Sequence, residues 1–207
     1  LLSAFDVDQI APEALLWQTG YLTIRDTRQI GGRWEYRLGY PNLEVEMALN
    51  DALLKGLMED SSRADHAVGR LYDVLAGGDP QALRAHLTAL FDAIPHAWHD
   101  GNPIARYEGF YASVFYSHLA ALGVDLAPED PSSHGRLDLR LRFEGQIWLF
   151  EFKVVELNPK GKALEQIKDR GYANKYRAEG LPIHLVGIEF SREQRTLIGF
   201  ETETLHP

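Results

Sequence analysis

The sequence predicts a mixed α/β (α+β) fold: a central mixed sheet flanked by helices, with a smaller N-terminal region of helix and β-hairpin. Three observations predict it. Residues 137–143 alternate apolar and polar, as a strand with one covered face does. Residues 147–155 and 183–189 are almost continuously apolar, as strands covered on both faces are. The stretches around them carry apolar residues at helical spacing, several closed by glycine.

Composition sets the bounds. With 207 residues, 45% hydrophobic and 25% charged, the chain is long enough for one large domain or two small ones. It has no cysteine, which excludes disulfides, cysteine-type zinc sites and thiol catalysis. No apolar run reaches the roughly 20 residues a bilayer span needs and no signal-peptide pattern opens the chain, so a cytoplasmic location is expected. The opening Leu1-Leu2 already reads as the inside of a helix, which suggests a fragment of a longer protein. A net charge of −9 argues against a general polyanion binder. Residues 101–180, however, hold 11 Lys and Arg against 11 Asp and Glu, so the negative excess lies in the flanking segments.

In chain order, residues 8–19 read as a short helix ending at Gly20. Tyr21 to Thr27 and Arg33 to Leu38 flank Gly31-Gly32 as a hairpin, and Pro41-Asn42 opens a helix with Val45, Leu49, Leu53 and Leu57 on its apolar stripe. Helix, hairpin and helix over residues 1–60 suggest a small winged-helix-like unit. Ala67 to Ala76 and Gln81 to Ile94 are two further helices divided by Gly77-Gly78-Asp79-Pro80, so residues 61–100 read as a helical linker. Residues 95–103 are rich in turn formers and mark the boundary of a domain at 101–207. His96, His99 and Asp100 cluster there, but in a connector without further ligands. Ile104 to Leu122 is a helix with Glu108 in its first turn, Val124 to Ala127 a short strand, and Pro128 to His134 a polar loop. Pro159 to Glu179 is a helix with Gln166 near its start, and Thr196 to Thr202 is a last strand.

The chemistry concentrates in residues 135–155. Leu137, Leu139, Leu141 and Phe143 share one face of the first arm, with Arg136, Asp138, Arg140 and Arg142 on the other; the turn is Glu144-Gly145-Gln146. In the apolar second arm Glu151 and Lys153 lie two residues apart, on one side of the strand. Charges buried there cost several kcal/mol unless compensated. A divalent cation between Glu151 and Asp138 is an economical compensation. Two other readings stay open: a structural buried ion pair, and a site that keeps its shape without its chemistry. Lys160, Lys162, Lys168, Arg170, Lys175 and Arg177 follow and could contact phosphates or form a solvated helix face.

Helix with Glu108, strand with Asp138, strand with Glu151-Phe152-Lys153, helix with Gln166, strand: this order resembles the PD-(D/E)XK nuclease superfamily. The likeness is greatest to the branch that lies C-terminal to AAA-ATPase-like domains, through Tyr107-Glu108, Phe110-Tyr111, Gly135-Arg136-Leu137-Asp138, Ala163 to Ile167 and Val186-Gly187-Ile188. Leu15 to Ile24 resembles the end of the ATPase-like part, and no phosphate loop is present, so that core is expected upstream. Leu137 stands where the superfamily's name has proline.

The resemblance implies a restriction-endonuclease-like core and Mg²⁺-dependent hydrolysis of phosphodiesters, in DNA, with Mn²⁺ as a substitute. Asp138, Glu151 and Glu108 would ligate metal, helped by a backbone carbonyl such as that of Phe152. Lys153 would orient the attacking water and Gln166 would position water or phosphate. Arg136, Lys160, Lys162 and Lys168 would bind nucleic acid. A homodimer would supply the two active sites that cutting both strands of a duplex needs. From other classes, the alternatives are an inactive nuclease-fold module that binds nucleic acid or regulates an attached ATPase, and a paired-carboxylate glycosidase.

Overall fold

The computed structural model describes residues 11–58, 61–94 and 108–207. Helix α1 (Pro12–Gln18) begins with a proline at its first turn, and strands β1 (Thr23–Ile30) and β2 (Arg33–Gly39) form an antiparallel hairpin. Helix α2 (Leu43–Met58) starts where the Asn42 side chain accepts from the Val45 amide at 2.9 Å, a cap that satisfies one orphan donor. Helices α3 (Ser61–Gly77), α4 (Pro80–Asp92, capped by Asp79) and α5 (Glu108–Ala120) complete the helical layer. The His96, His99 and Asp100 cluster and residues 104–107 lie outside the described residues.

Strands β3 (Asp125–Ser132), β4 (Gly135–Phe143), β5 (Gln146–Val155), β6 (Ile183–Ser191) and β7 (Leu197–Leu205) form one sheet in sequence order. All neighbours are antiparallel except β5 and β6, which run parallel and are joined through helix α6 (Lys162–Asp169). One face of β5 and β6, with Trp148, Phe150, Phe152, Val186, Ile188 and Phe190, packs on leucines of α2, α3 and α4 and on Phe115 of α5. The other, with Ile147, Leu149, Ile183 and Leu185, packs on Ile167, Tyr172 and Tyr176. Covered on both sides, β6 is buried at every residue, which explains its largely apolar run. No helix among the described residues is long and apolar enough to cross a membrane.

Several sequence expectations change in detail. Residues 128–132 are strand, not loop: β3 is an edge strand, the place in a sheet where prolines such as Pro128 and Pro131 are tolerated. The β4–β5 turn is Glu144-Gly145, both at positive φ, and Gln146 already belongs to β5. The long helix after β5 is two pieces, α6 and a 3₁₀ helix Tyr172–Glu179, divided at Gly171 in the left-handed region. Leu137 does not share a face with Leu139 and Leu141; it packs with Leu149 and Ile167, whereas they join the helical layer. The change of face falls at Asp138, where β4 and β5 part.

Candidate active site

The paired register of β4 and β5 stops at Leu139 and Phe150. One step on, side chains replace the ladder: the Asp138 Oδ2 atom accepts from the Phe152 amide at 2.8 Å, and the Asp138 amide donates to Glu151 Oε2 at 3.4 Å. Two carboxylates therefore stand in the opening of a forked pair of strands. Glu151 is 1% exposed. Its Oε1 accepts from Lys153 Nζ at 3.2 Å and from the Gln166 amide nitrogen. The structure thus brings together Asp138, Glu151, Lys153 and Gln166, from three elements.

Gln166 reaches the strand because α6 lies on the sheet at a glycine. Gly187 of β6 is the register partner of Glu151, and a Cβ there would stand 2.2 Å from the Leu164 nitrogen. No other residue type permits that approach. Beside it, Glu189 pairs in register with Lys153 and is 2% exposed. Its carboxylate accepts from the backbone amides of Lys160 and of Lys162, the latter at 2.8 Å, and so fixes the start of α6. Sequence reasoning passed over Glu189, although it interrupts an apolar strand just as Glu151 does.

Burial raises the Glu151 pKa to about 7; the Asp138 charge adds to the rise and Lys153 opposes it. Asp138 is also raised, first by burial, with the Phe152 amide and Lys153 opposing and Glu129 adding. With both carboxylates ionised, one ammonium leaves the fork short of positive charge. Its donors are carboxylate oxygens, the set a hard divalent cation takes, so the residues fit such an ion. Asp138 and Glu151 would hold it. Among the described residues no group of three or more His, Cys, Asp or Glu is placed for a metal, and the Glu108 side chain lies outside them, although Glu108 begins α5.

The predicted phosphate contacts are dispersed. Arg136 pairs with Glu129 at 2.7 Å and Lys168 with Glu203 at 2.7 Å, both well exposed. Arg170 donates to the His134 carbonyl at 2.9 Å, and Lys175 pairs with Asp130 at 2.6 Å. Lys160 and Lys162 are exposed on the approach to α6, over Glu189.

Residues 106–200 match the family model of the PD-(D/E)XK nuclease superfamily. The five-stranded mixed sheet flanked by helices is consistent with that family's restriction-endonuclease-like fold. A protein of Azotobacter chroococcum mcd 1, named "Uncharacterized protein in vnfD 5'region", is 56% identical over 205 residues, covering 99% of this chain and 40% of that protein. The chain therefore spans about two fifths of the length of this curated relative.

Proposed function

We propose that this chain, whose residues 106–200 match the family model of the PD-(D/E)XK nuclease superfamily, is a Mg²⁺-dependent nuclease, acting on DNA as the C-terminal part of a larger ATPase-like protein. The observation that carries the reading is the fork itself: Asp138 and the buried Glu151, with the Lys153 ammonium 3.2 Å from the Glu151 carboxylate. A structural ion pair would need one carboxylate for one ammonium; here a second carboxylate, once ionised, adds charge that one ammonium does not balance.

A divalent cation, when bound, supplies Lewis-acid polarisation of the scissile phosphate and a more acidic water. The rest falls to the chain. Asp138 is held by the Phe152 amide with its carboxylate turned into the fork. Glu151 is fixed in one rotamer by Gln166 and Lys153. Lys153, with its side chain 26% exposed, presents an ammonium at the mouth of the fork, where it orients the attacking water and stabilises charge that grows on the phosphate oxygens. Burial strengthens each of these interactions.

The test is calorimetric titration of Mg²⁺ and Mn²⁺ into the protein and its Asp138→Ala variant, beside cleavage assays on single- and double-stranded DNA and RNA. Binding and cleavage are both expected to vanish in the variant. A parent protein that takes up no cation, even with nucleic acid present, would return the fork to a structural ion pair in a binding or regulatory module.

A further inference from the structure

A pocket of about 440 Å³ opens beside Asp138, walled by α2 and α5 and floored by β3, β4 and β5. We propose that it binds one unstacked nucleobase, so that the substrate is a strand with an unpaired nucleotide beside the scissile phosphate and not continuous duplex. The proposal rests on the nuclease reading and deepens it.

Continuity comes first. Asp138 and Phe152, the two residues bonded across the fork, also line the pocket, so a group seated in it lies next to whatever the fork holds. The chemistry of the walls selects that group. Among the described residues the lining contains no Lys, Arg or His, and its only charges, Asp138 and Glu129, stand together on the sheet side. The described lining therefore offers a phosphate no counter-charge in the interior. What enters is uncharged, apolar on its faces and polar at its edges, as a base is.

The interior offers both surfaces. Gly109 and Ala112 leave α5 without bulk, while Tyr116 and Asn50 bring hydroxyl and amide groups; the Ser113 hydroxyl is turned back to the Gly109 carbonyl at 2.6 Å. These are held in place: the Tyr116 hydroxyl donates to Glu46 Oε1 at 2.8 Å, which joins α5 to α2, and the Asn50 amide donates to the Glu46 carbonyl within α2 at 2.8 Å. The volume lies within the usual range for small-ligand sites, roughly 300–1,000 Å³. A base stacked in a duplex would first have to be extruded at a few kcal/mol, a cost an unpaired base largely avoids.

The probes are neutral nucleosides, thymidine and adenosine, at millimolar concentration, with amide chemical shifts followed by NMR in the absence of metal. The nucleosides are expected to shift Gly109, Ser113 and Ser117, and inorganic phosphate is not. Ser113→Phe, which fills the pocket from an exposed position on α5, should abolish the shifts; Ser113→Ala should keep them. In cleavage assays a single strand should be cut at least tenfold faster than the blunt duplex of the same sequence, and Ser113→Phe should lose at least tenfold on the single strand with Mn²⁺ binding unchanged. Nucleosides that leave these amides unmoved, equal cutting of both substrates, or full activity in Ser113→Phe would overturn the proposal. Loss of Mn²⁺ binding by the parent protein would instead overturn the nuclease reading, and the nucleoside titration judges the pocket independently of it.

Discussion

Glu151 is where burial and charge conflict most directly. Its folded pKa, about 7, stands above the ordinary value of 4.5, so ionising it costs the folded state about 3 kcal/mol. For a carboxyl raised in this way, stability is fully present below pH 4.5 and is lost as pH rises to about 7. A cation that binds the ionised form must displace the proton. Mg²⁺ titrations at pH 6 in buffers of different ionisation enthalpy should therefore report release of close to one proton, declining towards none by pH 8.5; a heat that is independent of buffer at pH 6 would contradict this. The buried pair His86 and His118 acts with the opposite sign. Their Nε2 atoms lie 2.7 Å apart and their rings stack at 5.0 Å, so one ring donates to the other and the accepting ring must be neutral. Burial first, then Arg70, lowers His86 to about 4; burial first, then His86, lowers His118 to about 3. Stability is present above pH 6.5 and falls below it, by about 2 kcal/mol per ring at pH 5. The windows of Glu151 and the histidines overlap, so the histidines are read by difference: replacing both by leucine should flatten the acid limb of a urea-denaturation series, and an unchanged limb would refute the pair's role.

At the scale of elements, the fork was only half legible in the sequence. The alternation of 137–143 and the charges at 151 and 153 mark two strands and a carboxylate pair, because side-chain period and hydrophobicity are local properties. That β4 changes face at Asp138 is not local. It follows from the Asp138 carboxylate taking the Phe152 amide in place of a ladder carbonyl, which periodicity does not encode. The break at Gly171 was overlooked for a related reason: the apolar spacing of Ile167, Tyr172 and Tyr176 satisfies one helix as well as two short ones sharing a face. Glu189 was readable as a charge in an apolar strand, but its amide partners at Lys160 and Lys162 lie 29 and 27 residues away. What joins these pieces is Gly187. Gly187→Ala would press its Cβ to 2.2 Å from the Leu164 nitrogen and 2.8 Å from its Cα, both backbone atoms of α6 that no rotamer change can move aside. The helix must lift, taking Gln166 from Glu151. The variant should lose about 3 kcal/mol in urea denaturation, and a loss under about 0.5 kcal/mol would show that α6 docks by other means.

For the whole molecule, chemistry and stability are distributed differently. Every predicted ligand, catalytic group and phosphate contact lies within the proposed nuclease domain 101–207. The core that supports them does not. Leu54 of α2, Leu71 and Leu75 of α3, and Leu83 and Leu87 of α4 are fully buried in the cluster that contains Phe115, Trp148 and Phe150. Each such side chain is worth about 1.5–3 kcal/mol of burial, so five of them approach the entire stability of an ordinary domain. The N-terminal hairpin is the reverse case. Every residue from Ile24 to Arg37 is exposed, with Trp34 at 58% and Ile30 at 54%, and its cross-strand ion pair Arg28–Glu35 is fully at the surface. Exposed pairs of that kind contribute little. Truncation to residues 41–207 should therefore leave the unfolding free energy within about 1 kcal/mol of the full chain. Truncation to 101–207 should give a chain that binds hydrophobic dye and shows no cooperative transition, because one face of its central strands has lost its cover. A cooperative transition in 101–207 would mean that the sheet, α5 and α6 form a self-sufficient core and that α2 to α4 are an addition to it.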